Sequence, residues 1–155
     1  MEALIDTNVL VYRYDGRFPE KQRIAVELLR RGTELQSVCL PHQAIIEFVA
    51  ATTRPQKTLD GRSLLSRAEA YREAEELLND FIVLYPTEEV LFSAFRGAAT
   101  YQLSWFDAHI WACADVYGLP EILTEDFQHG RLYGTVKARN PFIAETVHEP
   151  MARYG

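Results

Sequence analysis

Residues 3–10 read Ala3-Leu4-Ile5-Asp6-Thr7-Asn8-Val9-Leu10, and the first half of that stretch sets the reading of everything downstream. Ala3, Leu4 and Ile5 form a short apolar run that stops at an acid and two more oxygen-bearing side chains, as a buried strand does before its loop. A charged segment opened by Pro19 follows, with Ile24, Ala25, Leu28 and Leu29 on one helical face and Gly32 as its stop. The chain therefore begins strand, loop, helix.

The same order repeats outward. Gln36 to Leu40 is expected as a second strand, and Pro41 to Arg54 as a helix that Pro55 ends. Ser63 to Asp80 carries Leu64, Ala68, Tyr71, Glu75 and Leu78 at helical spacing, and Phe81 to Tyr85 is a β-branched and aromatic run of strand length. Thr87 to Gln102 is expected as a helix striped by Val90, Leu91, Ala94, Phe95 and Ala98, and Ser104 caps another that ends near Gly118. Glu121 to Thr124 reads as a fourth strand, and Gly134 to Ala138 as a fifth before Asn140-Pro141. Strands alternating with helices imply a mostly parallel sheet covered on both faces, whose ligands sit beyond the carboxyl ends of the strands. No repeat, low-complexity tract or linker divides residues 1–155, so a single domain is expected.

Four acids are candidates for chemistry, although an Asp after a strand is usually a turn or cap residue making a local hydrogen bond. Asp6 stands where the first strand ends, and Asp126 follows the fourth, so both are expected at the same crevice. Glu47 lies in Ala44-Ile45-Ile46-Glu47-Phe48-Val49-Ala50-Ala51 with apolar neighbours on nearly every side. Burying a lone carboxylate costs several kcal/mol unless it is paired or metal-bound, so Glu47 is either on an exposed stripe, paired, or functional. Asp107 sits three residues after Ser104, an acidic variant of the capping box, yet a first-turn acid there also points towards the crevice. Four converging carboxylates repel one another, and protonation or cation binding relieves that repulsion. Magnesium or manganese accepts hard oxygen ligands, two divalent ions would balance the four charges, and such a pair about 3.5 to 4 Å apart supports in-line phosphoryl displacement.

Composition narrows the remaining classes. With 48% apolar and 25% charged residues the 155-residue chain is globular, not disordered. Its longest apolar runs, Phe81 to Tyr85 and Ile110 to Ala114, are far short of the roughly 18 residues of a membrane helix. The amino terminus lacks the basic stretch and apolar core of a secretory signal, so the cytoplasm is the expected compartment. Cys39 and Cys113 lie in apolar segments and suit neither a disulfide framework nor a zinc site.

The net charge of −6 argues against broad electrostatic binding of nucleic acid. That charge is uneven: residues 1–72 carry 11 basic and 9 acidic groups, residues 73–126 carry 1 and 11, and residues 127–155 carry 4 and 2. Arg54, Lys57, Arg62, Arg67 and Arg72 against Asp60 and Glu69 leave residues 54–72 at +3, a stretch that can either grip backbone phosphate or simply keep helices soluble. Trp105, Phe106 and Trp111 can stack bases, although their helical spacing is that of core packing. His42, His109, His129 and His148 are scattered, and His129, three residues beyond Asp126, is the one expected at the site.

Leu4-Ile5-Asp6-Thr7-Asn8-Val9-Leu10, Ile46-Glu47-Phe48, Trp105-Phe106-Asp107-Ala108-His109-Ile110 and Leu123-Thr124-Glu125-Asp126-Phe127 together resemble the PIN domain, and within it the VapC-type ribonuclease toxins of toxin–antitoxin pairs. The likeness spans nearly the whole chain, and Arg139-Asn140-Pro141-Phe142 is similar to endings in that group. The resemblance implies a three-layer, Rossmann-like α/β/α fold with a five-stranded sheet of order 3-2-1-4-5. It also implies cleavage of RNA dependent on Mg²⁺ or Mn²⁺, leaving a 5′ phosphate and a 3′ hydroxyl, a homodimer, and a cognate antitoxin that lays an amphipathic segment into a hydrophobic groove. Carried over, Asp6, Glu47, Asp107 and Asp126 match the acidic metal site. Thr7 matches its supporting hydroxyl, Asn8 steadies the loop, and Thr124 opens the Thr-x-Asp pattern that selects Asp126 while leaving open a contribution of Glu125 through water.

Two alternatives remain at this stage. A receiver-like phosphoacceptor module requires paired acids after the first strand and a lysine ending the last, which only Lys137 approaches. A silent PIN-like RNA-binding scaffold requires an incomplete acid set, and here the set is complete.

Overall fold

Ala3, Leu4 and Ile5 are all buried, and successive strand side chains point to opposite faces, so this strand needs cover on both sides. The computed structural model, which describes residues 2–143, supplies that cover with two separate cores. Strand β1 (Ala3–Ile5) sends Ala3 and Ile5 into one core, with Val9 and Leu10 of α1 (Thr7–Tyr12), Ala25 and Leu29 of α2 (Pro19–Leu35), Ala44, Ile45 and Phe48 of α3 (His42–Thr53), and Ala74 and Leu77 of α4 (Arg67–Asp80). Leu4 enters the other, with Val90 and Ala94 of α5 (Glu88–Tyr101) and Ile110, Trp111 and Cys113 of α6 (Trp105–Val116). The result is a three-layer α/β/α architecture, as the sequence predicts.

The sheet is β3-β2-β1-β4-β6-β5, built with β2 (Val38–Pro41), β3 (Ile82–Leu84), β4 (Glu121–Leu123), β5 (Leu132–Tyr133) and β6 (Val136–Arg139). Every pairing is parallel except β5 with β6. The five-stranded expectation is thus corrected to six among the described residues. The predicted fifth strand, Gly134 to Ala138, is the turn and second arm of a hairpin: Gly134 has φ +67° and with Thr135 forms the two-residue turn that joins β5 to β6. Where the chain returns from β3 through α5 and α6 to β4, it crosses to the other side of β1, and the strand order reverses there. That switch point fixes the crevice beyond Ile5 and Leu123.

Three further differences have local causes. The expected loop after Asp6 is helix α1, which begins at once because Asp6 is its N-cap. Helix α2 runs past Gly32 to Leu35. That glycine does not stop the helix; it lets α2 approach β2, where a Cβ would lie 2.5 Å from Val38 Cγ2. Helix α4 starts at Arg67 rather than Ser63, because Ser66 and Glu69 form a reciprocal capping box. Among the described residues, no helix is long and apolar enough to cross a membrane.

Candidate active site

Asp6 leaves β1 at the switch point, buried at 3% exposure. Its backbone N–H donates to Leu123 O (3.0 Å), which ties the ends of β1 and β4 together. Its carboxylate accepts from the Thr7 N–H at 2.6 Å, from Thr124 Oγ1 at 2.7 Å and from Asn8 Nδ2 at 3.5 Å. All three donors are neutral.

Asp126 approaches from the loop after β4. The Thr124 hydroxyl that donates to Asp6 also accepts the Asp126 N–H at 3.0 Å, and Asn8 Nδ2 reaches Asp126 Oδ2 at 3.0 Å. Glu47 comes from α3, half-buried, where Thr7 Oγ1 donates to its Oε1 at 2.7 Å and Gln43 Nε2 to its Oε2 at 2.8 Å. Asp107 enters on the first turn of α6, capped by Ser104, while Gln43 Nε2 also donates to Phe106 O (3.2 Å) and so links α3 to that turn. Thr7, Asn8, Thr124 and Gln43 form the polar frame that holds the acids.

Electrostatics binds the four into one group. Burial raises the Asp6 carboxyl to about 7, with repulsion from Asp126 and Asp107 adding to it against the Thr124 and Thr7 hydrogen bonds. Burial also raises Asp107, to which Glu47 adds. It raises Asp126 as well, with Asp107, Glu125 and Glu47 adding to it. Asp6, Asp107 and Asp126 each therefore feel at least one other acid of the group from a distinct element.

The donor set fits a hard divalent cation. It offers carboxylate oxygens carrying a formal −4, held by neutral donors, beside an Asn8 Oδ1 that is buried without a partner. Among the described residues no three His, Cys, Asp or Glu side chains already stand in ligand geometry, so the acids share a field without yet converging on one point.

The PIN domain profile matches residues 3–134. The chain belongs to the PIN domain family. No curated protein matches the chain. Among solved structures, a toxin–antitoxin complex from Klebsiella pneumoniae is similar at 20% identity and a TM-score of 0.63, covering 90% of this chain and 98% of that one. The DNA-bound VapBC of Salmonella typhimurium is similar at 12% identity and a TM-score of 0.66, covering 91% and 98%. VapC20 of Mycobacterium tuberculosis, a sarcin–ricin loop cleaving toxin, is similar at 14% identity and a TM-score of 0.53, covering 81% and 92%. At these identities the likeness is one of fold, and that fold is the PIN domain's.

Within this PIN domain the structure sorts the remaining sequence candidates. Trp111 is core, its Nε1 donating to Tyr133 O, whereas Trp105 and Phe106 are exposed. Asp115, two turns beyond Asp107 and expected as a surface acid, is half-buried instead: it accepts from Ser93 Oγ between α6 and α5 and takes no part in the site. Lys137 pairs in register with Glu121 at the start of β4, the opposite end of the sheet from Asp6, so it stands far from a receiver lysine's place. His129 Nδ1 accepts the Asn140 N–H. The histidine beside the acids is instead His109, whose ring Nδ1 contacts Gln43 Oε1 at 2.5 Å and whose basicity is lowered by burial against the pull of Glu47. His148 lies outside the described residues. Sequence spacing carries a hint of His109, two residues beyond Asp107, and none of Gln43, whose part depends on α3 packing beside α6.

Proposed function

We propose that this PIN domain is a metal-dependent endoribonuclease, the toxin of a toxin–antitoxin pair. The observation that carries this reading is Asp6: a buried carboxylate at the switch point, coupled to Asp107 and Asp126 and held only by neutral donors. Asp6, Glu47, Asp107 and Asp126 would hold Mg²⁺ or Mn²⁺. The chemistry such a cation would supply there is activation of water and neutralisation of phosphate oxygens, for hydrolysis of an RNA phosphodiester to a 5′ phosphate and a 3′ hydroxyl. The chain's own residues set the stage: Thr7 fixes Glu47, Thr124 fixes both Asp6 and the Asp126 backbone, and Asn8 bridges Asp6 and Asp126.

RNA needs cations outside that nest. Arg54, Lys57, Arg62, Arg67 and Arg72 are all exposed, and Arg17, which lines the cleft beside Thr7, Asn8 and Asp126, donates to Thr58 within that basic stretch. This gives phosphate a path from the basic stretch to the acids. A homodimer is supported by exposed apolar side chains beside Glu47. Ile46, Leu91, Trp105 and Phe106 line one cleft with Glu47 and His109, and Phe95 stacks on Trp105 at 5.3 Å. An antitoxin partner rests on the toxin–antitoxin complexes of similar fold, and the cytoplasm follows as the compartment of such a pair. Incubating the purified protein with total bacterial RNA and Mg²⁺ or Mn²⁺ tests the reading: discrete cleavage by wild type and none by Asp6→Asn supports it, and identical RNA ladders from the two overturn it.

A further inference from the structure

The proposed site leaves one neighbour unexplained. Glu125 is adjacent to Asp126 and close enough for the two charges to be felt, yet its side chain is held elsewhere. Its Oε1 accepts from Tyr12 Oη at 2.6 Å and its Oε2 from Lys21 Nζ at 2.9 Å, while Lys21 Nζ also reaches Tyr12 Oη at 3.2 Å, which closes a three-member ring of contacts. The ammonium sits 4.8 Å from the centre of the Tyr12 ring, 5.8 Å from Phe18 and 5.7 Å from Phe142, and Tyr12 packs edge-on against both phenyl rings. Four parts of the chain meet in this cage: the end of α1, the first turns of α2, the loop after β4 and the segment after β6. Lys21 is thus held by aromatic rings and by one oxygen of a carboxylate whose other oxygen is tied to Tyr12, unlike the exposed Arg23–Glu20 pair on the same helix.

We propose that Lys21 and Tyr12 are positioning residues that hold Glu125 out of the acid nest, so that only Asp126 of the Glu125-Asp126 pair faces Asp6, Glu47 and Asp107. This deepens the metallonuclease reading and rests on it. Two acids in succession after β4 offer two ways to complete the nest, and a fifth uncompensated carboxylate would add one more negative charge against both its neighbours and an approaching phosphate. Lys21 cancels that charge. Because α1 carries Thr7, Asn8 and Tyr12 on six residues, the Tyr12–Glu125 bond also fixes the β4 loop against the helix that orients Glu47 and Asp126.

The test compares wild type with Lys21→Met, Glu125→Gln and the double variant, using Mn²⁺ alone by calorimetry, cleavage of a mixed-sequence single-stranded RNA pool, and melting in EDTA. Lys21→Met removes a cation and frees an acid, so Mn²⁺ should bind at least about threefold tighter while RNA cleavage falls about tenfold. Glu125→Gln leaves the cation uncompensated and should weaken Mn²⁺ binding by a similar factor. The double variant should return towards wild type in both readouts, and in EDTA it should melt about 3 °C above Lys21→Met. Single variants shifting Mn²⁺ affinity in the same direction, or a double variant as impaired as Lys21→Met, would overturn the pairing and assign Lys21 to RNA directly or to packing alone. Should wild type take up no Mn²⁺, the metallonuclease reading fails by itself, and the EDTA melting cycle still decides whether Lys21 and Glu125 act as one unit.

Discussion

Asp6 and Asp15 are both buried aspartates, at 3% and 4% exposure, nine residues apart on either side of α1. Asp15 has what a buried acid ordinarily requires: Arg17 donates to it from Nε (2.8 Å) and from Nη2 (2.7 Å), and its carboxyl is held below the usual range chiefly by that guanidinium. Asp6 has hydroxyl and amide donors only, and burial drives its carboxyl up to about 7. The same few residues of chain therefore neutralise one buried charge and leave the other to repel its neighbours. An acid that the fold positions but does not compensate is what the proposed cation site requires of Asp6.

The largest expected effect follows from removing the uncompensated acid. Asp6→Asn should lower RNA cleavage at least about a thousandfold, whereas Asp15→Asn, measured in the same assay, should lower it far less. Comparable losses would erase the distinction between the two sites. Stability should then divide them with opposite signs. Arg17→Met strands a buried carboxylate and should lower the melting temperature by roughly 8 °C. Asp6→Asn removes a strained one and, in EDTA at pH 8, should raise it by about 5 °C, less than full relief because Thr124 loses its carboxylate acceptor.

The pH dependence sharpens the contrast further. A carboxyl raised from 3.8 to about 7 on folding binds a proton that the unfolded chain has already released, so stability falls as pH climbs through that window, by on the order of 4 kcal/mol. Asp15, with its folded value lowered, contributes stability that is present above its unfolded value and is lost as pH falls through the folded one. Chemical denaturation of the metal-free protein between pH 4 and 8 should show a downward slope that Asp6→Asn makes much shallower, leaving the smaller share of Asp107 and Asp126, and that Asp15→Asn retains. A slope unchanged in Asp6→Asn would place the titrating group elsewhere. The smallest effect is expected of the apolar flank: Trp105→Ser should shift the chain towards monomer in sedimentation at micromolar concentration while leaving the melting temperature within about 2 °C.

The strand-ending acid at position 6, the carboxylate at 47 set among apolar neighbours, the Ser104 cap and the strand–helix alternation are all local patterns: Asp6 does follow β1, Glu47 does lie on a helix, and Ser104 does cap α6. The features that escaped are long-range or conformational. Helix α1 replaces a loop because the Asp6 side chain caps it, and the last strand doubles because Gly134 can adopt positive φ. Gly32 has the composition of a helix stop, yet its role depends on Val38 lying beneath it. The contacts of Gln43 with Phe106, of Lys21 with Glu125 and of Tyr12 with Glu125 join residues 63, 104 and 113 positions apart. No period or motif records such pairs; only the packing of α1, α2, α3, α6 and the β4 loop around one switch point creates them.

Soaking crystals of the protein in Mn²⁺ and recording anomalous scattering tests most directly whether the acids of β1, α3, α6 and the β4 loop form one cation site. The expected result is an anomalous peak bonded to Asp6 and Asp126, with Glu47 and Asp107 bound to it directly or through water and Glu125 still on Lys21. A peak seated on other carboxylates, or none at millimolar Mn²⁺, would contradict it.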